Sequence, residues 1–299
     1  MADELIIQTA DIRKRYGKVE ALAGVDLKIP RGAVCGLLGR NGAGKTTTIK
    51  VLLGMVRPTS GAASVFGLPA TDAKASLEIR KRAAFVSEDK DLYAGVTVGE
   101  LVRFTATFYP KWRADRASEY LAAFELRAGA TTRELSRGMR TKLALLLALS
   151  TGAELLILDE PMSGLDPAAI EQVLQIIVKQ AGRDGTTVLF SSHQLADVEQ
   201  IADCIAIVDR GRVVVDGALD DLRDAYRRVQ LVFDGAAPDA KLQSSGIVSL
   251  RRDGRVLSVL CKAGEADVVA EARALSPKGV DVLPVSLKEI FLETVGVEN

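Results

Sequence analysis

The run Gly39-Arg40-Asn41-Gly42-Ala43-Gly44-Lys45-Thr46 constrains this chain more than any other stretch. It fills every fixed position of a phosphate-binding loop, G-x-x-x-x-G-K-[ST]. The apolar run Ala33–Leu38 before it reads as a buried strand and Thr47–Met55 after it as a helix, so the loop joins strand to helix as the motif requires. The glycines let the backbone fold tightly and turn its N–H groups inward, which makes an anion-binding nest at a helix N-terminus. Lys45 supplies a point charge for the β- and γ-phosphates, and the Thr46 hydroxyl suits Mg²⁺. A glycine-rich turn that merely carries a lysine would lack the flanking strand and helix. The expectation is a nucleoside-triphosphate site running from Gly39 to Thr47 in an α/β fold.

Two further strand ends point to the same chemistry. Leu155-Leu156-Ile157-Leu158 has the uninterrupted aliphatic character of a central parallel strand, and it ends in Asp159-Glu160. Acids there lie at the carboxyl end of the sheet, beside the phosphates. Asp159 is placed to hold Mg²⁺ and Glu160 to orient and polarise the attacking water. Thr187–Phe190 is another apolar strand, followed by Ser191-Ser192-His193. His193 is the only histidine of the chain and a candidate γ-phosphate contact.

Composition narrows the partners. Lys+Arg and Asp+Glu number 39 each, so no basic field advertises nucleic acid. Hydrophobic residues make up 48%, yet no uncharged apolar stretch approaches the ~20 residues of a membrane span. Met1–Glu4 leads straight into a strand-like Leu5–Thr9 with no secretory signal. Cys35, Cys204 and Cys261 lie far apart in apolar segments and read as buried small hydrophobes, without disulfide or metal-ligand spacing. A cytoplasmic protein is expected.

Together these residues resemble the nucleotide-binding subunits of ABC transporters, over about Leu5 to Leu222. Tyr16 matches the aromatic that stacks on adenine in that family, where residues alone would make it an ordinary strand tyrosine. Leu135-Ser136-Arg137-Gly138-Met139 occupies the place of the signature motif, and Ser163-Gly164-Leu165-Asp166 that of the D-loop. Glu88, after the strand Ala84–Ser87, stands where glutamine is usual in the Q-loop. The resemblance implies a phosphate-loop NTPase core with antiparallel β and helical subdomains, ATP and Mg²⁺ as ligands, and head-to-tail pairing with a second ATP-binding subunit. Each signature motif (here Ser136, Arg137 and Gly138) would then face the ATP held by the other copy. It also implies a separate transmembrane permease and a place on the cytoplasmic face of the membrane. The two ATPase copies are identical or different; the sequence leaves both open.

Three positions depart from the family pattern. Arg137 replaces glycine, Met139 replaces glutamine, and Glu88 replaces the Q-loop glutamine. Arg137 keeps a donor-rich cation near the phosphates and Glu88 still offers Mg²⁺ an oxygen. This combination resembles the exporter branch that handles drugs, polysaccharides and antibiotic peptides. A soluble ABC ATPase acting on ribosomes or nucleic acid is the alternative.

Between Glu88 and Ser136, Thr97-Val98-Gly99-Glu100 is a capping box opening a helix to about Tyr109, and Arg113–Leu126 reads as another. With Arg137–Thr151 they form a helical subdomain over about residues 88–152. Phe104, Phe108, Tyr109 and Trp112 concentrate here, as subdomain core or as the lining of a groove for the permease. Residues 223–299 are expected to form a small accessory α+β domain for dimer support or regulation. Its elements would be a charged helix Ala218–Arg228 reaching into it, strands Val229–Phe233, Ile247–Leu250, Val256–Cys261 and Val280–Val285, and helices Glu265–Leu275 and Leu287–Val295. A loop spans Gly235–Gly246, and Asp253-Gly254 marks a hairpin.

Overall fold

The N-terminal strand β1 (Leu5–Tyr16) runs twelve residues, well beyond the expected Leu5–Thr9. Ile12 is fully buried within the charged segment, and two irregularities in the pairing with β2 (Val19–Val25) accommodate the polar residues around it. These strands, with β3 (Lys28–Pro30), begin an antiparallel sheet. The computed structural model describes residues 4–239 and 242–295. Residues 1–3 of the N-terminal segment and residues 240–241 of the Gly235–Gly246 loop therefore lie outside the described residues. The chain divides into two units, one ending at Asp216 and one starting at Gly217.

In the first unit, β4 (Val34–Leu38) is buried at all five positions and leads through the phosphate loop into α1 (Lys45–Leu52). That helix starts two residues earlier and ends three earlier than Thr47–Met55. β5 (Ser60–Val65) and β6 (Leu68–Pro69) complete the antiparallel sheet, in the order β2-β1-β5-β6 with β3 also on β1. α2 (Ala73–Arg82) then enters β7 (Ala83–Val86). Three helices follow: α3 (Val98–Ala106), opened by the Thr97/Glu100 capping box, α4 (Ala114–Ala123), and α5 (Arg137–Leu149), capped by Ser136.

β8 (Leu155–Leu158), α6 (Pro167–Asp184), β9 (Thr187–Ser192), α7 (Leu195–Ile201), β10 (Cys204–Asp209) and β11 (Arg212–Ala218) complete the second sheet. Its order is β11-β10-β4-β9-β8-β7, and β10, β4, β9, β8 and β7 are mutually parallel. β8 and β9 are buried throughout, as aliphatic runs covered on both faces must be. One hydrophobic core joins residues of both sheets with Ile49, Val51 and Leu52 of α1. The strand order has one decisive consequence: the carboxyl ends of β4, β9 and β8 lie side by side. The phosphate loop, His193 and Asp159-Glu160 leave the sheet at those ends. The same sheet makes Cys35 and Cys204 register partners on β4 and β10, a pairing invisible in a sequence that separates them so widely.

The second unit opens with α8 (Leu219–Ala225), and there the expectation of a helix to Arg228 fails. Tyr226, Val229 and Leu231 are buried in β12 (Tyr226–Val232), which pairs on both edges. A central strand outweighs the helical reading of its charged start. β13 (Ile247–Asp253) and β14 (Val256–Lys262) form the hairpin around Gly254, followed by α9 (Glu265–Arg273), β15 (Gly279–Pro284) and α10 (Leu287–Thr294). The sheet is antiparallel in the order β13-β14-β12-β15, and Val229, Leu231, Leu257 and Val259 pack with Val268 and Ala272 of α9.

Of the four subdomain aromatics, Phe104 and Phe108 are 48% and 63% exposed, which excludes them from the core. They meet edge to face at 5.0 Å, and Phe104 meets the exposed Tyr93 at 5.6 Å. Tyr109 and Trp112 are half-buried.

Candidate functional site

Gly44 caps α1 at φ +110°, and a Cβ there would meet the Ala21 carbonyl oxygen and Leu22 Cδ2 at 2.8 Å each. Only glycine lets the loop turn into the helix at this point. Above it lies a cavity of about 480 Å³. Its wall contains the expected Tyr16, Arg40, Asn41, Gly42, Gly44, Lys45, Thr46, Thr47, Glu88 and Glu160, together with Ala21. Gly39 and Ala43 belong to the same loop and are buried. Tyr16 presents a half-exposed ring at the cavity, with Lys14 Nζ 4.9 Å from its centroid and donating to the Arg57 carbonyl.

Lys45 is 7% exposed, and its ammonium donates to the carbonyl oxygens of Gly39 (2.7 Å) and Arg40 (3.4 Å). It also lies 3.6 Å from Glu160 Oε1. The other Glu160 oxygen, Oε2, is 2.8 Å from His193 Nδ1. Cation, carboxylate and imidazole thus form one chain at the end of the sheet. Glu160 Oε1 and Asp159 Oδ2 are buried without a hydrogen-bond partner, Oε1 having only the longer ionic contact to Lys45. Buried oxygens normally find partners, so these two are acceptors available to a ligand or water.

The backbone beneath the two carboxylates is held by residues that sequence reasoning missed. Ser191 Oγ donates to Asp159 Oδ1 at 2.6 Å and accepts from the Glu160 amide at 2.9 Å. Lys90 Nζ donates to the Glu160 carbonyl at 2.7 Å. Burial holds the Lys90 ammonium below the usual lysine range, against the pull of Asp159, Glu88 and Glu160. Asp197 on α7 is buried with one oxygen unpartnered, and burial raises its carboxyl although His193 opposes the shift. The serine had a faint signal in its place after an apolar strand. The lysine had none, because Glu88-Asp89-Lys90-Asp91 looks like a solvated charge run.

Ser136, Arg137 and Gly138 stand at the start of α5 and do not line this cavity. Ser136 accepts from the Met139 amide at 3.2 Å as the helix cap. Arg137 Nη2 donates to Ser163 Oγ at 3.0 Å, and Thr141 Oγ1 donates to the Ser163 carbonyl at 3.1 Å. A Cβ on Gly138 would come within 2.9 Å of the Gly164 carbonyl oxygen, so close approach requires glycine here. Asp166 caps α6, and the Ala169 amide it accepts from holds its carboxyl below the ordinary range.

For a divalent cation, the expected donors are Thr46, Glu88 and Asp159. All are hard oxygen donors, two are on the cavity wall, and Asp159 carries the orphaned Oδ2. Among the described residues no group of three or more His, Cys, Asp or Glu forms a cage that could hold a metal by itself. Mg²⁺ characteristically takes one or two protein carboxylates and completes its shell with phosphate oxygens and water.

The family model for ABC transporters matches residues 22–163. The bacitracin transport ATP-binding protein BcrA of Bacillus licheniformis is 33% identical over 299 residues, covering 96% of this chain and 95% of that protein. The daunorubicin resistance ATP-binding protein DrrA3 of Streptomyces coeruleorubidus is 35% identical over 314 residues, covering 99% and 97%. The dimeric structure of MJ0796, a bacterial ABC transporter cassette, superposes with a TM-score of 0.65 at 25% identity, covering 71% of this chain and 98% of that cassette.

Proposed function

The chain belongs to the ATP-binding proteins of the ABC transporter family, and we propose from that premise that it powers an exporter by ATP-driven, head-to-tail pairing of two such subunits on a separate permease. It binds and hydrolyses ATP. The single observation that carries the mechanism is the Lys45–Glu160–His193 chain at the wall of the phosphate-loop cavity.

In this reading adenine stacks on Tyr16 and the triphosphate lies along the Gly39–Thr47 loop. Lys45 turns from the Gly39 carbonyl to the β- and γ-phosphates, because anionic oxygens are stronger acceptors than a neutral amide. Glu160 accepts a hydrogen bond from water and aims its oxygen at the γ-phosphorus. The new P–O bond forms as the bond to the β,γ-bridging oxygen breaks, releasing ADP and phosphate. His193 holds the Glu160 carboxylate by its second oxygen and is placed to meet the γ-phosphate. Thr46, Asp159 and Glu88 would hold Mg²⁺, which when bound neutralises charge on the β- and γ-oxygens.

Ser136 and the start of α5 would complete the site of the opposite copy, whose γ-phosphate is otherwise open on one side. The Arg137–Ser163 hydrogen bond links that segment to the loop following Glu160 in the same chain. The dimeric form of the MJ0796 cassette supports pairing, and identical copies would give an isologous interface. Among the described residues no helix is long and apolar enough to cross a membrane. The permease is read as a separate chain. Its contact is the exposed Tyr93-Phe104-Phe108 patch, next to cavities of about 200 and 210 Å³ that share Tyr109 and Thr151. That contact would seat the protein on the cytoplasmic face of the membrane. Residues 1–222 would be the nucleotide-binding domain and 223–299 an accessory domain. Neither site nor relatives favour the ribosome or nucleic-acid alternative.

Phosphate release by the purified chain tests the chemistry. Glu160→Gln should keep ATP binding and slow turnover by roughly 10²-fold or more, the scale of a lost positioned base. Near-normal turnover in that variant would remove Glu160 from the role.

A further inference from the structure

We propose that Lys90 is a positioning residue for ATP hydrolysis, its ammonium tying the loop that carries Glu88 to the backbone of Glu160 so that the Glu160 carboxylate stays aligned with His193 and Lys45. The proposal rests on the reading of Glu160 as the residue that orients water.

Lys90 behaves unlike its neighbours. Glu88, Asp89 and Asp91 are exposed, whereas Lys90 is 8% exposed. Its Nζ donates to the Glu160 carbonyl at 2.7 Å and to the Glu88 carbonyl at 3.1 Å. Burying an ammonium sacrifices hydration and side-chain freedom, and a solvated loop lysine would do neither. Lys90 and Glu160 both adopt φ +48°, a left-handed conformation that residues with a Cβ rarely hold without external support.

At Glu160 that support comes from both sides. The amide is fixed by Ser191 Oγ, and the carbonyl accepts from Lys90 Nζ at 2.7 Å and from the Ser163 amide at 3.1 Å. With both peptide groups pinned, the Cα–Cβ direction is set, and with it the carboxylate that reaches His193 and Lys45. Lys90 does not line the nucleotide cavity. It lines instead the cavity of about 200 Å³ that also contains Asp91, Leu92 and Tyr109. It therefore acts through Glu160 and not on the phosphates. Its loop lies between the proposed permease contact and the hydrolytic carboxylate, so a shift of that loop would reach Glu160 through one hydrogen bond.

The test compares wild type, Lys90→Met and Lys90→Arg as full-length chains, and repeats Lys90→Met in the Glu160→Gln background. Methionine keeps the length and removes every donor; arginine keeps charge and donors. Misplacement of a reacting group by about 1 Å can cost 10²-fold, so kcat of Lys90→Met should fall by about ten-fold or more, with KM and ATP affinity within about two-fold of wild type. Lys90→Arg should recover part of that loss. In the Glu160→Gln background Lys90→Met should lower kcat by less than about two-fold, because its route of action has already been removed.

Wild-type kcat in Lys90→Met, an equal loss in both backgrounds, or parallel loss of ATP affinity would overturn the proposal. If Lys90→Met does not fold, Lys90→Leu, which also lacks a side-chain donor, replaces it under the same criteria. Absence of hydrolysis in the wild-type chain, or wild-type turnover in Glu160→Gln, would instead overturn the reading of the site itself.

Discussion

Ser191→Ala removes one oxygen atom and breaks two hydrogen bonds at the base of the hydrolytic centre. The hydroxyl is fully buried, donates to Asp159 Oδ1 at 2.6 Å and accepts from the Glu160 amide at 2.9 Å. Asp159 is 1% exposed and its Oδ2 already has no partner, so the substitution strands the whole carboxylate. It also leaves the Glu160 amide unsatisfied. Each buried polar group deprived of its partner costs about 1–3 kcal/mol, more when charged, so the two together amount to roughly 2–6 kcal/mol. For a domain of this size 1 kcal/mol shifts Tm by about 2–4 °C, giving an expected fall of about 4–24 °C. Turnover should drop as well, because Glu160 loses the hydrogen bond that fixes its amide. Calorimetry with and without ATP, alongside phosphate release, reads both effects. A Tm within about 2 °C of wild type with unchanged turnover would refute the bridging role of Ser191.

Other variants test other parts of the site. Lys45→Ala removes the main charge on the β- and γ-phosphates and should abolish measurable ATP binding by titration calorimetry; unchanged affinity would refute its assignment. Tyr16→Ala should weaken ATP binding by about 1–3 kcal/mol, the scale of aromatic–base stacking, and a negligible change would return Tyr16 to an ordinary strand residue. Asp184 accepts two hydrogen bonds from Arg116, and that guanidinium holds its carboxyl below the usual aspartate range. Its folded value thus lies below the unfolded one, so the pair stabilises the fold above the ordinary carboxylate range and ceases to as pH falls through the lowered value. The stability gap between Asp184→Asn and wild type should therefore begin to narrow as pH falls below the ordinary aspartate range and close below the lowered value; a gap that stays constant with pH would contradict the assignment.

Much of the first unit was legible because its chemistry is carried by short contiguous runs. Gly39–Thr46 needs its strand and helix on either side, and Leu155–Leu158 needs burial on both faces, so each motif announced its own element. Their convergence follows from strand order, which places β9 between β4 and β8. What stayed hidden depends on contacts distant in sequence. Ser191 acquires its role only because β8 and β9 are neighbours. Lys90 is buried on a left-handed backbone, and no local charge pattern encodes either feature. Cys35 and Cys204 meet only through the register of β4 and β10. Arg137, read as a cation for phosphate, is held by Ser163 of its own chain. At Tyr226 the helical charge pattern lost to strand pairing on two edges, and at β1 the polar Asp11–Arg15 segment concealed a continuing strand. Phe104 and Phe108 show the opposite error, large apolar residues that the fold leaves outside.

We propose that this ATPase drives a membrane partner. The most direct test purifies tagged Glu160→Gln chain, with ATP present, from detergent-solubilised native cells and identifies what accompanies it by mass spectrometry. A polytopic membrane protein in fixed stoichiometry with the chain is the expected result. Ribosomal proteins or nucleic-acid factors in its place, with no membrane protein, would contradict it.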